Sequence, residues 1–244
     1  MKRRDFLKKT SLMGGLMLIN PRFSLQALNE FSEQELIGKG NPALFGDGFK
    51  LRDEARLQFN LMKKAAKEQG FHIHVISSYR SYNHQNGIWE RKYKQYRGQG
   101  LSPQKTIEKI IRYSTIPGTS RHHWGTDLDI IDSTRGIPSN PLSEVHFNEG
   151  GRMRKFKLWL DENAEKFGFY LVYTNAPGRK GFAYEPWHFS YRPISLKMLK
   201  AYSALDIRKI LQSNKLMGSE HFTDAFIEKY LTENVLDINP SLLS

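Results

Sequence analysis

The sequence has no cysteine. That absence excludes disulfide staples, thiolate metal sites, a cysteine nucleophile and a lipid-modified cysteine anchor. It leaves His, Asp and Glu as the strong metal ligands available. Long apolar runs are missing as well. An uncharged, mostly apolar stretch runs from Thr10 to Ile19, about half the length that a membrane-spanning helix needs. There is no low-complexity tract, no internal repeat and no Gly/Ser linker, so the 244 residues read as one domain with tails. Aromatic residues, at 12% of the chain, are ample for a packed core.

The amino terminus, "MKRRDFLKKTSLMGGLMLINP", sets basic residues ahead of that apolar stretch. This is the order of a targeting segment rather than of folded structure. Arg3 and Arg4, followed by Phe6, Leu7 and Lys8, resemble the twin-arginine export signal of bacteria, with Lys2 standing where that signal usually has Ser or Thr. Residues 1–27 are therefore expected to be an export segment, either cleaved near Ala27 or kept as a membrane anchor. The body of the protein is expected in the periplasm or otherwise outside the cytoplasm. The segment also distorts the charge. Its six basic residues against Asp5 account for +5 of the total +12, which leaves +7 for the remainder. Those charges are spread out, without zinc-finger spacing or an RNA-binding signature, so nucleic acid is not an expected partner. A mild positive field suits a polyanionic cell wall equally well.

From Leu51 to Gln69 the apolar positions Ala55, Phe59, Met62 and Ala66 recur at helical spacing, and Gly70 ends the run. "FHIHVISSY" reads as a β-branched strand with His72 and His74 on one solvent-facing side of an edge or outer face. Helices are predicted over Tyr82–Tyr96 and Pro103–Tyr113, and "IPGTS" as the turn after them. "TDLDII" reads as a strand and "GGRMRKFKLWLDENAEKFG" as an amphipathic helix, with Phe156, Leu160, Ala164 and Phe167 on one side and Gly168 as its stop. "FYLVYT" and "FAYEPWHFSY" read as two more strands joined by the polar loop "NAPGRKG". Beyond Pro193 the chain is helical and ends in a weakly structured "DINPSLLS". Strands separated by helices without regular βαβ spacing predict an α+β fold with a small antiparallel sheet flanked by helices.

Two segments carry the chemistry. In "SRHHWGTDLDI", Ser120–Ile130, strand alternation puts Asp127 and Asp129 on one face. His122 and His123 stand just before them, on a loop that Gly125 makes flexible enough to fold back. One His and one Asp from this stretch can converge on a metal ion, and the stretch alone does not choose between the two of each. "YEPWH" sets Glu185 three residues before His188, with Pro186 excluding a continuous helix. Two histidines and one aspartate leave a fourth position open on zinc, the catalytic rather than the structural pattern. A nearby carboxylate such as Glu185 then suits the base that takes a proton from water. Trp187 reads as core packing under the site.

Together these segments resemble the LAS metallopeptidases, which include D-Ala-D-Ala carboxypeptidases and LD-carboxypeptidases. That family carries Ser-x-His-x-x-Gly-x-Ala-x-Asp and, some sixty residues later, Glu-x-Trp-His. Here the motifs read Ser120, His122, Gly125, Asp129 and then Glu185, Trp187, His188. "SSYRS", Ser77–Ser81, and "NAEKFGFYLVY" match further parts, so the resemblance spans Ile73 to Tyr191. It implies a LAS/hedgehog-like fold, zinc held by His122, Asp129 and His188, and Glu185 as general base. It further implies Arg80 as the group that stabilises the oxyanion or grips the substrate's terminal carboxylate, and Ser120 as a substrate hydrogen-bonding group. His123 becomes a neighbour that packs or supports a ligand. Asp127 departs from the pattern, standing where the family usually has Ala; a partner for a histidine or a change of metal preference are its two readings.

The expectation is an exported zinc peptidase acting on peptidoglycan stem peptides and releasing a terminal D-alanine. Residues 28–193 would form its peptidase domain, and 194–244 a helical extension of that domain that caps the cleft, docks to the sheet or offers a partner surface. Two rivals share the features: a wall-binding module of the same fold without turnover, and an Fe(II) oxygenase with two histidines and one carboxylate.

Overall fold

The computed structural model describes residues 30–244, so the export segment expected at 1–27 lies outside the described residues. A short helix α1 (Glu33–Leu36) precedes the long α2 (Asp53–Glu68), and strand β1 (Ile73–Ser77) follows. Helices α3 (Tyr82–Gly98) and α4 (Pro103–Ile111) lead through a 3-10 turn (Arg121–Trp124) into β2 (Asp127–Asp132). Helix α5 (Arg154–Asn163), β3 (Phe169–Leu171) and β4 (His188–Tyr191) come next, then α6 (Arg192–Tyr202), α7 (Ile207–Ser213) and α8 (Asp224–Tyr230). The four strands form one antiparallel sheet in the order β1-β2-β4-β3. This is the expected α+β architecture.

Period-two alternation in the two central strands separates packing from chemistry. Leu128 and Ile130 of β2 and Phe189 and Tyr191 of β4 face a core built with Phe59 and Met62 of α2 and Phe156 and Leu160 of α5. The helical spacing of Ala55, Phe59, Met62 and Ala66 is what buries that side of α2. The alternate residues, Asp127, Asp129, His188 and Ser190, share the other face. Asp129 is the cross-strand partner of His188, and Asp127 that of Ser190. Edge position leaves His72 and His74 of the β1 segment exposed.

A second core lies beyond that face. Trp89, Ile107 and Ile110 of α3 and α4 pack with Met198, Tyr202, Leu211, Phe222, Ile227 and Tyr230 of the C-terminal helices. Helix α6 leaves β4 without a break, so the extension is built onto the sheet's central strand.

Three expectations need correction. The last two strands are shorter than predicted: Val172–Thr174 and Phe182–Trp187 are irregular, and His188 N–H closes a turn on the Glu185 carbonyl at 3.0 Å. Pro186, which has no N–H, removes a ladder donor there and favours the turn. The segment around Gly125 folds back as a packed 3-10 turn rather than as an open loop. Gly125 has φ 67°, and a side chain there would meet Leu44 at 2.5 Å, so the glycine gives close packing and a fixed left-handed end to the 3-10 turn. The C-terminal "DINPSLLS" is also ordered. Ile238 and Leu242 are buried, and Asn239 donates its backbone N–H to Val172 and its side-chain amide to Leu171 beside the sheet's edge strand.

Candidate active site

Register brings the two motifs together. His122, Asp129 and His188 are all buried, and one potential ligand atom from each lies within 4.8 Å of the others. His122 Nε2 is 3.4 Å from Asp129 Oδ2, and His188 Nδ1 is 3.7 Å from Asp129 Oδ1. The rest of each ring is held by the fold. His122 Nδ1 lies 2.7 Å from the Ser78 carbonyl, which can only accept, so Nδ1 carries the hydrogen and Nε2 offers a lone pair inward. His188 Nε2 lies 3.0 Å from Asp127 Oδ2, which points Nδ1 at Asp129 and Glu185. Among the described residues, Asp129 Oδ1 is buried with no hydrogen-bond partner. An orphaned carboxylate oxygen between two inward imidazole nitrogens, in a chain without thiols, is a donor set that fits zinc.

Glu185 sits on the turn before β4, its Oε2 3.0 Å from His188 Nδ1. Burial raises its pKa, against the pull of the His188 hydrogen bond. Without a metal, the 3.0 Å contact between His188 Nδ1 and Glu185 Oε2 is one that a proton can bridge. Although burial opposes the charged ring, hydrogen bonds to Asp127 and Glu185 raise the His188 pKa to about 9. Burial and the Arg80 charge lower that of His122. Asp129 is also held below the usual carboxylate range, because the His122 and His188 interactions and Arg80 outweigh its burial.

Arg80 follows β1, whose register shift between Val75 and Ser77 turns the chain toward the site. Its Nη2 pairs with Asp129 Oδ2 at 2.9 Å, Nε donates to Ser77 Oγ at 2.8 Å, and Nη1 donates to Gln85 Oε1 at 3.2 Å. It is thus no surface ion pair, and among the described residues one N–H on each terminal nitrogen is unused. His123 donates Nδ1–H to the Arg80 carbonyl at 2.6 Å and accepts from Gly118 N–H at 3.2 Å. Burial pushes its pKa down to about 4, so it is a neutral brace outside the metal group. Gly38 must be a glycine for His123 to sit there, since a Cβ would lie 2.3 Å from the ring.

His122, Asp129, His188, Glu185 and Arg80 open on one cavity of about 450 Å³. Ser120 lines it with a buried Oγ that has no hydrogen-bond partner among the described residues. Trp187 packs on Phe147, Ile131 and Met153 beneath the site. Part of the remaining wall has no signature in the sequence: Ser114, Thr115, Asn140 and Ser143 come from irregular segments without periodicity or motif, while Tyr113, expected at the end of a helix, lies past its end at Ile111. Tyr173, edge-on to His188 with ring centroids 5.1 Å apart, was likewise read only as part of a strand.

Comparison with known proteins agrees with this geometry. Residues 48–194 match the VanY family, D-alanyl-D-alanine carboxypeptidase. The chain belongs to this family. A D-alanyl-D-alanine carboxypeptidase of Enterococcus faecalis is 30% identical over 152 residues, covering 62% of this chain and 52% of that one. The chain spans about half the length of the curated carboxypeptidases it matches. Among solved structures, the LdcB LD-carboxypeptidase aligns at TM-score 0.50 and 26% identity, over 76% of this chain and 79% of that one. VanYB in complex with D-alanine-D-alanine shares the fold at TM-score 0.51 and 24% identity, over 72% and 92% of the two chains. The family match ends inside α6, so most of the C-terminal helices lie beyond it.

Proposed function

We propose that this protein is a zinc-dependent carboxypeptidase that hydrolyses peptidoglycan stem peptides and releases their terminal D-alanine. The observation that carries this reading is the buried group of His122, Asp129 and His188, with Glu185 beside it, on the wall of one cavity in a chain of the VanY family. His122 through Nε2, His188 through Nδ1 and Asp129 would hold the zinc ion. Once bound, zinc supplies a Lewis acid that lowers the pKa of water and polarises the scissile carbonyl. Glu185 takes a proton from the attacking water and returns it to the nitrogen of the leaving D-alanine. Its raised pKa suits a group that must both accept and release that proton. The unused N–H groups of Arg80 meet negative charge, either on the scissile oxygen or on the substrate's terminal carboxylate. Ser120 Oγ is assigned to hydrogen-bond the substrate.

The enterococcal relative supports pentapeptides ending in D-Ala-D-Ala, and the LD-carboxypeptidase neighbour supports tetrapeptides. Incubating the zinc-loaded protein with both, and reading products by mass spectrometry beside Glu185→Gln, decides between them. Loss of one alanine mass by wild type only is the expected result. Absence of product from every stem peptide and cross-linked muropeptide would overturn the peptidase reading in favour of a wall-binding module. Zinc-free protein that turns over only with Fe(II) and consumes oxygen would favour the oxygenase.

The twin-arginine-like segment supports action outside the cytoplasm, where such peptides lie. An Arg3/Arg4→Lys pair is expected to stay in the cytoplasm; normal export of that pair would remove the basis for this placement.

A further inference from the structure

We infer that Asp127 is a positioning residue that fixes His188 as the tautomer offering Nδ1 to a metal ion, and that Arg121 holds Asp127 in place for that task. The inference rests on the metallopeptidase reading and adds two residues to it.

The sheet dictates the arrangement. Asp127, Asp129, His188 and Ser190 form a two-by-two block on one face of the β2–β4 pair, in which Asp129 stands opposite His188 and Asp127 opposite Ser190. Asp127 is therefore diagonal to His188, within reach of a long side chain across the strands. It uses that reach, with Oδ2 3.0 Å from His188 Nε2. Asp127 is fully buried and its carboxylate is saturated by donors. Oδ2 also accepts from Arg121 Nε at 3.0 Å, and Oδ1 accepts from Thr126 Oγ1 at 2.8 Å and Ser190 Oγ at 2.7 Å. Arg121 is fixed in turn: Nη2 donates to Ser190 Oγ at 2.7 Å, and the guanidinium lies over Trp124, 4.7 Å from the ring centroid.

A carboxylate so occupied has no oxygen left for a metal, which assigns it to orientation rather than ligation. Its oxygen accepts the Nε2 hydrogen, so the lone pair at Nδ1 faces Asp129 and Glu185. Without an acceptor at 127, no other group on this face among the described residues selects that nitrogen: Ser190 Oγ is committed to Asp127 and Arg121. Partners of this kind behind a metal-bound histidine change metal affinity by about 10–100-fold.

The test must separate positioning from the general burden of burying a charge. Removing Asp127 alone strands Arg121, whereas the Arg121→Met/Asp127→Ala double variant removes both charges and keeps the site packed. Zinc affinity is measured by chelator competition, with melting of the metal-free proteins recorded alongside. The double variant is expected to melt near wild type yet bind zinc at least tenfold more weakly. Asp127→Asn, nearly isosteric, serves as the fold-preserving comparison, and weaker zinc binding is expected from it too. Wild-type zinc affinity in either folded variant would overturn the assignment while leaving the peptidase reading intact. A wild-type protein that takes up no zinc would overturn both.

Discussion

Glu185 and Arg80 reach the same cavity by different physical routes, and their substitutions are expected to fail differently. Burial raises the Glu185 pKa, and its carboxylate is not part of the His122–Asp129–His188 group. Glu185→Gln keeps size and polarity but cannot take up a proton. It is expected to bind zinc like wild type and to lose roughly 10²–10⁴-fold in kcat, as removal of a general base does. Arg80 instead spreads three hydrogen bonds over Ser77, Gln85 and Asp129 from one planar group. A lysine ammonium cannot reproduce that fork. Arg80→Lys is expected to lower kcat/KM roughly 10–100-fold, the equivalent of one charge-assisted hydrogen bond. Steady-state kinetics with a D-alanine-ending peptide checks both.

The elements that aim the site include helices outside the family match. Tyr230, at the end of α8, accepts a hydrogen bond from Ile116 N–H at 3.1 Å, and its hydroxyl meets Thr119 Oγ1 at 2.8 Å. Tyr202, at the end of α6, donates to the Gly118 carbonyl at 3.1 Å. Both phenols therefore brace the turn that delivers Ser120 and His122. Asp237 performs the matching task for the loop before Glu185, accepting from the N–H groups of Lys180 and Gly181 at 2.7 and 3.0 Å. Tyr230→Phe leaves a buried N–H without a partner, so a loss of about 1–3 kcal/mol is expected from denaturant unfolding. An unchanged unfolding midpoint would show that the turn holds without this brace. Of the three roles open to the extension in the sequence, this bracing is closest to docking, though against the motif's turn more than against the sheet.

At the scale of the whole molecule, the proposed zinc ion and a proton would compete for one space. In the metal-free protein the His188 pKa is raised to about 9 from an ordinary 6.5. The sign follows from linkage: the folded state holds that proton more tightly, so its stabilisation is full below pH 6.5 and is lost as pH rises through 9. With excess chelator, stability is expected to fall by up to about 3 kcal/mol across that window, which calorimetry can record. Saturating zinc takes the place of the proton, so the holoprotein is expected to lose this dependence and to melt higher at every pH in the window. A chelated protein equally stable at pH 6.5 and 9 would contradict the placement of that proton.

Much of this was written in residue order. Helical spacing in α2 and α5, alternation in "TDLDII" and the stop at Gly168 were enough to read the α+β class, and the family resemblance carried by the spaced motifs named the groups that meet in the cavity. Local pattern carries such information because it decides which face of an element is apolar, and burial of that face then positions the polar one. The choice of His122 over His123 was different in kind. Spacing alone left it open; the resemblance favoured His122, and the fold turns His123 away because Gly38 packs on its ring and the Arg80 carbonyl accepts its hydrogen. Asp127 against Asp129 was decided the same way, by the register of β2 on β4 and by Arg121, adjacent in sequence to His122 yet paired across the turn. The cavity's irregular wall and the bracing by Tyr202 and Tyr230 had no local signature at all. Contacts between residues a hundred positions apart follow from how elements dock, and only the tertiary structure decides that.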